Sequence, residues 1–246
     1  MKTFRVDLHT HTVLSPCGDL EMSPVNIVEK AKERGIDVLG ISDHNSTLHA
    51  PLIKKLAAKE NIEIMMGAEV TTKEEVHCLC FFETEEKLVV FQKYLDKHLP
   101  HIANDSDKFG YQVVVNEEEE ILNEVEWLLI SGINQSIDQL EKKVHELDGL
   151  FIPAHVNKMQ DSIISQLGFI PIDLNVDALE ISQHTTKSEF LKKNKYLKNY
   201  NFIRSSDAHY IDNIGNTWTN FFMERRNFEE IKMALAGIEG RKIEIK

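Results

Sequence analysis

Short apolar runs that finish on a histidine or a carboxylate recur along this chain, and they constrain its fold more than any other feature. FRVDLHTHT ends in His9 and His11, DVLGISDHN in Asp43 and His44, and IEIMMGAEV reaches Glu69. EVHCLCFF carries His77 near its start, LFIPAHV ends in His155, DALEISQH reaches Glu180 and His184, and NFIRSSDAH ends in Asp207 and His209. Runs of this length suit strands buried in a parallel sheet. A buried polar group costs several kcal/mol unless something satisfies it. Repeated across so many strands, the pattern demands one shared purpose for the polar ends.

Between the runs lie stretches of helical character. Ser23-Pro24 followed by VNIVEKAKERG reads as an N-cap, a proline at the first helical position and a stop at Gly35. APLIKKLAAKEN, EKLVVFQKYLDKHL and SIDQLEKKVHELDG are helical as well, and the Lys-rich FLKKNKYLKNY separates the last two strands named above. Alternating strands and helices predict βα units around a parallel sheet. With no repeat or Pro/Gly-rich linker, residues 1–246 read as a single domain, and 42% hydrophobic content suffices for one large core. Residues 100–135, with the acidic run Glu117 to Glu120, read as an excursion or insertion whose charges form a solvated face.

In a strand, residues two apart share a face, so DLHTHT is expected to put Asp7, His9 and His11 on one side. Two histidines so placed can converge on one metal ion. In α/β barrels, active sites sit at the C-terminal ends of the strands, and nearly every histidine at a strand end here would point to that mouth. The first strand therefore supplies part of a metal site that the other strands complete. His49, His98, His101 and His145 fall in helical or loop stretches and read as ordinary surface histidines. His184 is open between lining the pocket and capping its strand.

DLHTHT, SDHN, GAE, AH and SSDAH, in that order from Asp7 to His209, resemble the PHP family, the polymerase and histidinol phosphatase phosphoesterases. The resemblance implies a distorted (β/α)7 TIM-like barrel with a metal centre of two or three divalent ions at the C-terminal ends of its strands. It implies that His9, His11, Glu69 and Asp207 hold one metal, and that Glu69 bridges to a second held by His77 and His155. Asp19, His44 and His209 would hold the third. Histidine and carboxylate ligands suit zinc, manganese or iron alike. Asp19 is similar to the ligand found in the stand-alone trinuclear nucleotide and nucleoside-phosphate phosphoesterases, which weakens a specific histidinol-phosphate assignment. Asp7 and Asp43 would orient the ligating imidazoles.

The expected activity is hydrolysis of a small phosphomonoester, of nucleotide, sugar phosphate or histidinol phosphate type, by a metal-activated hydroxide. Arg204, three residues before Asp207, is the expected phosphate clamp because its planar fork matches phosphate bidentately. Lys158 is the second candidate cation, and His209 or a metal-bound water could protonate the leaving group. The net charge of −12 argues against nucleic acid or a membrane surface as partner. Three cysteines without a CxxC pair fit a reduced, cytoplasmic setting, with Cys78 and Cys80 as apolar fillers. Two alternatives stand beside this reading. An amidohydrolase-type hydrolase would also begin its barrel with His-x-His, but no lysine closes an apolar run here to serve as its bridging group. A PHP exonuclease would want a basic track, for which LKKNKYLK (residues 191–198) is the nearest candidate, and a non-catalytic polymerase-associated module would be marked by loss of a ligand, of which none is missing here.

Overall fold

The computed structural model describes residues 1–245. Its strands are β1 (Lys2–Thr10), β2 (Val38–Ile41), β3 (Glu63–Thr71), β4 (His77–Phe82), β5 (Val113–Val115), β6 (Ile121–Glu124), β7 (Leu150–Pro153), β8 (Leu179–Glu180), β9 (Phe202–Ile203), β10 (Thr219–Met223) and β11 (Lys242–Ile245). The α-helices are α1 (Pro24–Arg34), α2 (Ala50–Ala58), α3 (Glu85–His98), α4 (Ser106–Phe109), α5 (Ile137–Glu146), α6 (Ile163–Leu167), α7 (Lys187–Lys193) and α8 (Phe228–Ala236). Local chemistry sets the helix ends. Ser23 accepts from Asn26 N at the start of α1, and Gly35, at φ 66°, ends it in the left-handed conformation that glycine adopts without steric cost. Ser136 and Gln139 close a reciprocal capping box on α5.

Seven strands form one curled sheet in the order β11-β10-β1-β2-β3-β4-β7. Backbone hydrogen bonds carry the ring further. Asp177 N donates to Phe151 O and Val156 N to Glu180 O, joining β7 to β8, and β8 pairs with β9 in parallel. Past β9, Ala208 bridges Thr10 in parallel register and so returns the ring to β1. The result is a distorted α/β barrel of the TIM-like type. Val6, Leu8, Val38, Met65, Leu79, Phe81, Ile152 and Ile203 pack in the sheet's inner cluster. The larger cluster lies between the sheet and α1, α2, α3 and α5.

The sheet is not uniformly parallel. β3 and β4 pair antiparallel, because the few residues between them can close a hairpin but cannot make a crossover. β4 therefore runs backwards, and its first residue, His77, arrives at the same end as the last residues of β1, β2 and β3. A second departure lies in β1. Asp7 is level with Leu39 and Thr10 with Ile41, three steps against two, so β1 bulges between them. An added Cβ on Gly40 would lie 2.5 Å from Leu8 O, so only glycine lets the bulge lie against β2. A bulge re-aims side chains: His9 and His11 point together into the mouth, while Asp7 turns to backbone amides elsewhere. The expected sharing of one face by all three residues thus fails at Asp7.

Residues 100–135 leave the barrel as α4 and the β5–β6 hairpin, and Glu117 to Glu120 are exposed on it. The C-terminal β10 and β11 pair antiparallel on the outer side of β1, with α8 between them in the chain. Cys78 and Cys80 are buried free thiols, and Cys80 Sγ donates to the Cys78 carbonyl at 3.6 Å. Among the described residues no helix is long and apolar enough to cross a membrane. His145 is not the plain surface residue expected. Its Nδ1 lies 2.6 Å from Glu141 and its Nε2 3.2 Å from Asp177, tying α5 to the segment before β8. Its pKa is raised, first by the Asp177 hydrogen bond and then, against partial burial, by the bond to Glu141. A raised histidine pKa stabilises fully below about 6.5, the unfolded value, and that contribution disappears as pH rises through the folded value. The His145→Gln variant is expected to lose this part of the stability gain at pH 5.5 relative to pH 8.5, by less than about 1 kcal/mol for partly exposed pairs. Denaturant melts at the two pH values measure it.

Candidate metal centre

Glu69 sits near the end of β3, 1% exposed, at the centre of five imidazoles. His9 Nε2, His77 Nδ1 and His155 Nε2 lie 3.2, 3.1 and 3.1 Å from its Oε1. His11 Nε2 and His44 Nδ1 lie 3.4 and 3.3 Å from its Oε2. Asp207 Oδ1 is 3.4 Å from His9 Nε2 and 3.6 Å from His209 Nδ1, and the His11 and His209 rings stack at 4.1 Å. Their donor atoms fall into three overlapping clusters: His9 with His11 and Glu69, His44 with Glu69 and His77, and His11 with His44 and His209. The backbone bends to bring them there. His155 and Asp207 adopt φ of 29° and 53°, strained for non-glycine residues and common at functional sites.

The carboxylates of the cluster are held ionised. Burial alone would raise the Glu69 carboxyl, but His77 and His9 around it hold it well below the usual carboxylate range. Asp207, likewise opposed by burial, is held low by His9 and His11. Burial and the neighbouring His209 push His11 down to about 3, and burial with His11 lowers His44. His9 and His77 go the other way: against their burial, the carboxylates of Glu180 and Glu69 raise His9 and that of Glu69 raises His77. Imidazoles crowded on ionised carboxylates, with excess negative charge that only protons offset, are a donor set that Zn²⁺, Mn²⁺ or Fe²⁺ can take in place of those protons. His44 Nδ1 is buried without a hydrogen-bond partner among the described residues, aimed at the cluster. A cation would satisfy it, so the residues present fit metal ions.

Supporting groups fix the rings. Asp43 accepts from Thr12 N, Thr12 Oγ1 and Ser15 Oγ, and Ser15 Oγ lies 3.1 Å from His11 Nδ1. Asp43 therefore orients His11 through Ser15, and it touches no ring directly. Asp7 does not orient an imidazole. Its carboxylate, raised to about 6 by burial, accepts from Ser206 N, Gly215 N and His9 N. Glu180 takes the role expected of Asp7: its Oε2 lies 3.0 Å from His9 Nδ1 and accepts from His155 N at 2.9 Å. A carboxylate closing the run DALEIS was the available signal for it.

The cavity over the centre holds about 640 Å³ and includes His44, His77, His155, Lys158, Asp207 and His209 in its lining. Lys158 pairs with Asp207 at its edge. Asp19 belongs to none of the donor clusters; its carboxylate accepts from Glu21 N while its N–H donates to His209 O. His184 is exposed and outside the lining. Arg204, the expected phosphate clamp, is also outside it, and its guanidinium donates to the Thr185 carbonyl. Strand β9 ends at Ile203, so the next side chain is spent on the loop after β8. Arg204→Ala is expected to lower the melting temperature by a few degrees while KM for a phosphate ester stays within about twofold (~0.4 kcal/mol). Steady-state kinetics beside a thermal melt would show it, and a tenfold rise in KM would reinstate the clamp.

The sequence pattern of the PHP domain matches residues 7–220, which include every residue of the cluster. The chain belongs to the PHP family. It is 24% identical to YqxK of Bacillus subtilis (strain 168), over 99% of this chain and 64% of that protein. It is 33% identical to a 5′-3′ exoribonuclease of Haemophilus influenzae, over 44% of this chain and 42% of that one. In fold, this PHP domain is similar to the lesion-specific endonuclease PfuEndoQ from Pyrococcus furiosus, with a TM-score of 0.73 and 22% identity over 98% of this chain and 58% of that one. The chain thus spans less than two thirds of the length of these relatives.

Proposed function

We propose that this PHP domain is a metal-dependent phosphoesterase that releases phosphate from a small monoester of nucleotide or sugar phosphate type. The observation that carries it is Glu69, itself 1% exposed, whose two oxygens meet five imidazole nitrogens at 3.1–3.4 Å at the floor of the cavity. His9, His11, Glu69 and Asp207 would hold one ion, His77 and His155 with Glu69 a second, and His44 and His209, with Asp19 nearby, a third. Divalent ions held there would supply Lewis acidity to phosphoryl oxygens and make water nucleophilic near neutral pH. Glu180 and Ser15 keep Nδ1 of His9 and His11 engaged, so that both Nε2 lone pairs face the centre. Lys158, 40% exposed beside Asp207, is placed to meet a phosphoryl oxygen at the mouth. The small size of the substrate is supported by charge: among the described residues Lys158 is the sole lysine or arginine of the cavity lining, on a chain of net charge −12.

A second reading, cleavage of phosphodiesters in nucleic acid, is favoured by the openness of the mouth, where Met159 is 94% exposed, and by the names of the relatives above. Protein reconstituted with Mn²⁺ or Zn²⁺ is to be assayed against nucleoside and sugar monophosphates, bis(p-nitrophenyl) phosphate and end-labelled oligonucleotides. Turnover of a monophosphate with intact oligonucleotides is the expected result. Oligonucleotide cleavage without phosphate release selects the second reading, and inertness toward every ester at full metal loading overturns both.

A further inference from the structure

His49 was expected at the surface, yet it is 1% exposed at the start of α2. It joins the 100–135 excursion to the loop that follows β1. Its Nε2 accepts from Val115 N at 3.0 Å, on strand β5 of the 100–135 excursion. Its Nδ1 lies 2.6 Å from Thr12 Oγ1. Hydrogen counting sets the direction of every bond that follows. Thr12 Oγ1 has one proton and gives it to Asp43 Oδ2 at 2.8 Å, so it must accept from His49 Nδ1–H. Ser15 Oγ gives its proton to Asp43 Oδ1 at 2.7 Å, so it must accept from His11 Nδ1–H. Asp43 is thus the shared acceptor between His49 and His11, with one hydroxyl on either side. Thr12, Ser15, Asp43, His49 and His11 are all buried, so no water can replace a lost partner cheaply. Burial holds His49 neutral by lowering its pKa to about 4, as one donor and one acceptor require.

The excursion rests on the same loop by other contacts. Val113 and Val115 pack on Val13, and Gly110 lies so close to Pro16 that an added Cβ would come within 2.0 Å of Pro16 O. The loop that carries Thr12 and Ser15 is therefore clamped between the excursion and the metal-facing ring of His11. We infer that His49 is a positioning residue that couples docking of the 100–135 excursion to the orientation of His11, and hence to metal affinity. The coupling rests on the reading of the cluster as a metal centre, and it is reciprocal: ion binding tightens the excursion, and loosening the excursion weakens the ion.

Two variants separate the two ends of the histidine. His49→Asn places an amide N–H near Nδ1 and keeps the donor to Thr12 but loses the acceptor for Val115. His49→Gln places a carbonyl near Nε2 and keeps that acceptor but loses the donor. The measurements are Mn²⁺ titration and amide hydrogen exchange with and without Mn²⁺. In the wild type, saturating Mn²⁺ is expected to slow exchange at Val115. The Asn variant is expected to lose the Mn²⁺ response at Val115 and, by reciprocity, to bind Mn²⁺ about threefold more weakly, and the Gln variant to bind about tenfold more weakly with Val115 protected whether or not Mn²⁺ is present. Equal effects in both variants, scaling with their melting temperatures, would reduce His49 to a structural residue and overturn the coupling. A wild type that binds Mn²⁺ with no response at Val115 would overturn it too. A wild type that takes up no Mn²⁺ would instead overturn the metal centre itself.

Discussion

Glu69→Gln is expected to leave a folded protein that has lost at least one metal equivalent and turns over about a thousandfold more slowly or worse. The substitution is isosteric, so packing of the buried site is preserved. What changes is the sign of the contact. Five imidazole nitrogens approach the carboxylate oxygens at 3.1–3.4 Å, and both oxygens would serve as ligands to cations held there. An amide keeps one weak oxygen donor and puts N–H protons where a second ion would be held. Four kcal/mol, roughly the value of a thousandfold, is a modest share of the charge stabilisation that cations give a phosphoryl transition state. Elemental analysis together with phosphate release reads the result. Wild-type metal content with wild-type turnover would sink the assignment of Glu69 as the bridge.

Much of this arrangement was legible in the residues, because the signals are local. A strand end that carries an imidazole can be read from the apolar run before it, and Ser23, Pro24 and Gly35 mark α1 by chemistry that acts within a few residues. The barrel followed from alternation of elements, and His9, His11, His44, Glu69, His77, His155, Asp207 and His209 do converge. Features set by distant neighbours were not legible. The bulge that turns Asp7 away depends on the approach of Leu8 to Gly40, thirty-two residues on, and periodicity along β1 cannot report it. The reversal of β4 was hidden because a parallel and an antiparallel buried strand have the same apolar composition. Arg204 stands three residues from Asp207 in the chain, but spacing says nothing of the carbonyl at Thr185 that takes its guanidinium. His49 reads as a helix residue because its partners, Thr12 and Val115, are distant in the chain and leave no mark on its own stretch.

Glu180 shows most sharply how a buried carboxylate outside the ligand set can govern it. Its Oε2 serves two groups at once, the Nδ1–H of His9 and the backbone N–H of His155. It therefore sets the tautomer of one candidate ligand and the backbone position of another, at 2% exposure. In Glu180→Ala both donors lose their partner in a site that water cannot easily enter. Each orphaned donor costs about 1–3 kcal/mol, and for a chain of this size each kcal/mol lowers the melting temperature by about 2–4 °C. A drop of about 5–15 °C in the metal-free protein is expected. Glu180→Gln is the sharper experiment. An amide oxygen can still accept from His155 N–H, so the melting temperature should stay within a few degrees of wild type. The His9 ring, however, loses its anionic partner, and with it the added basicity that a carboxylate lends a ligating imidazole. Metal affinity is expected to fall about 10–100-fold, read by competition with a chromophoric chelator. The two variants thus separate stability from ligation. If the Gln variant binds metal as tightly as wild type, Glu180 only holds the backbone of His155, and the orientation of His9 comes from packing of the bulge in β1.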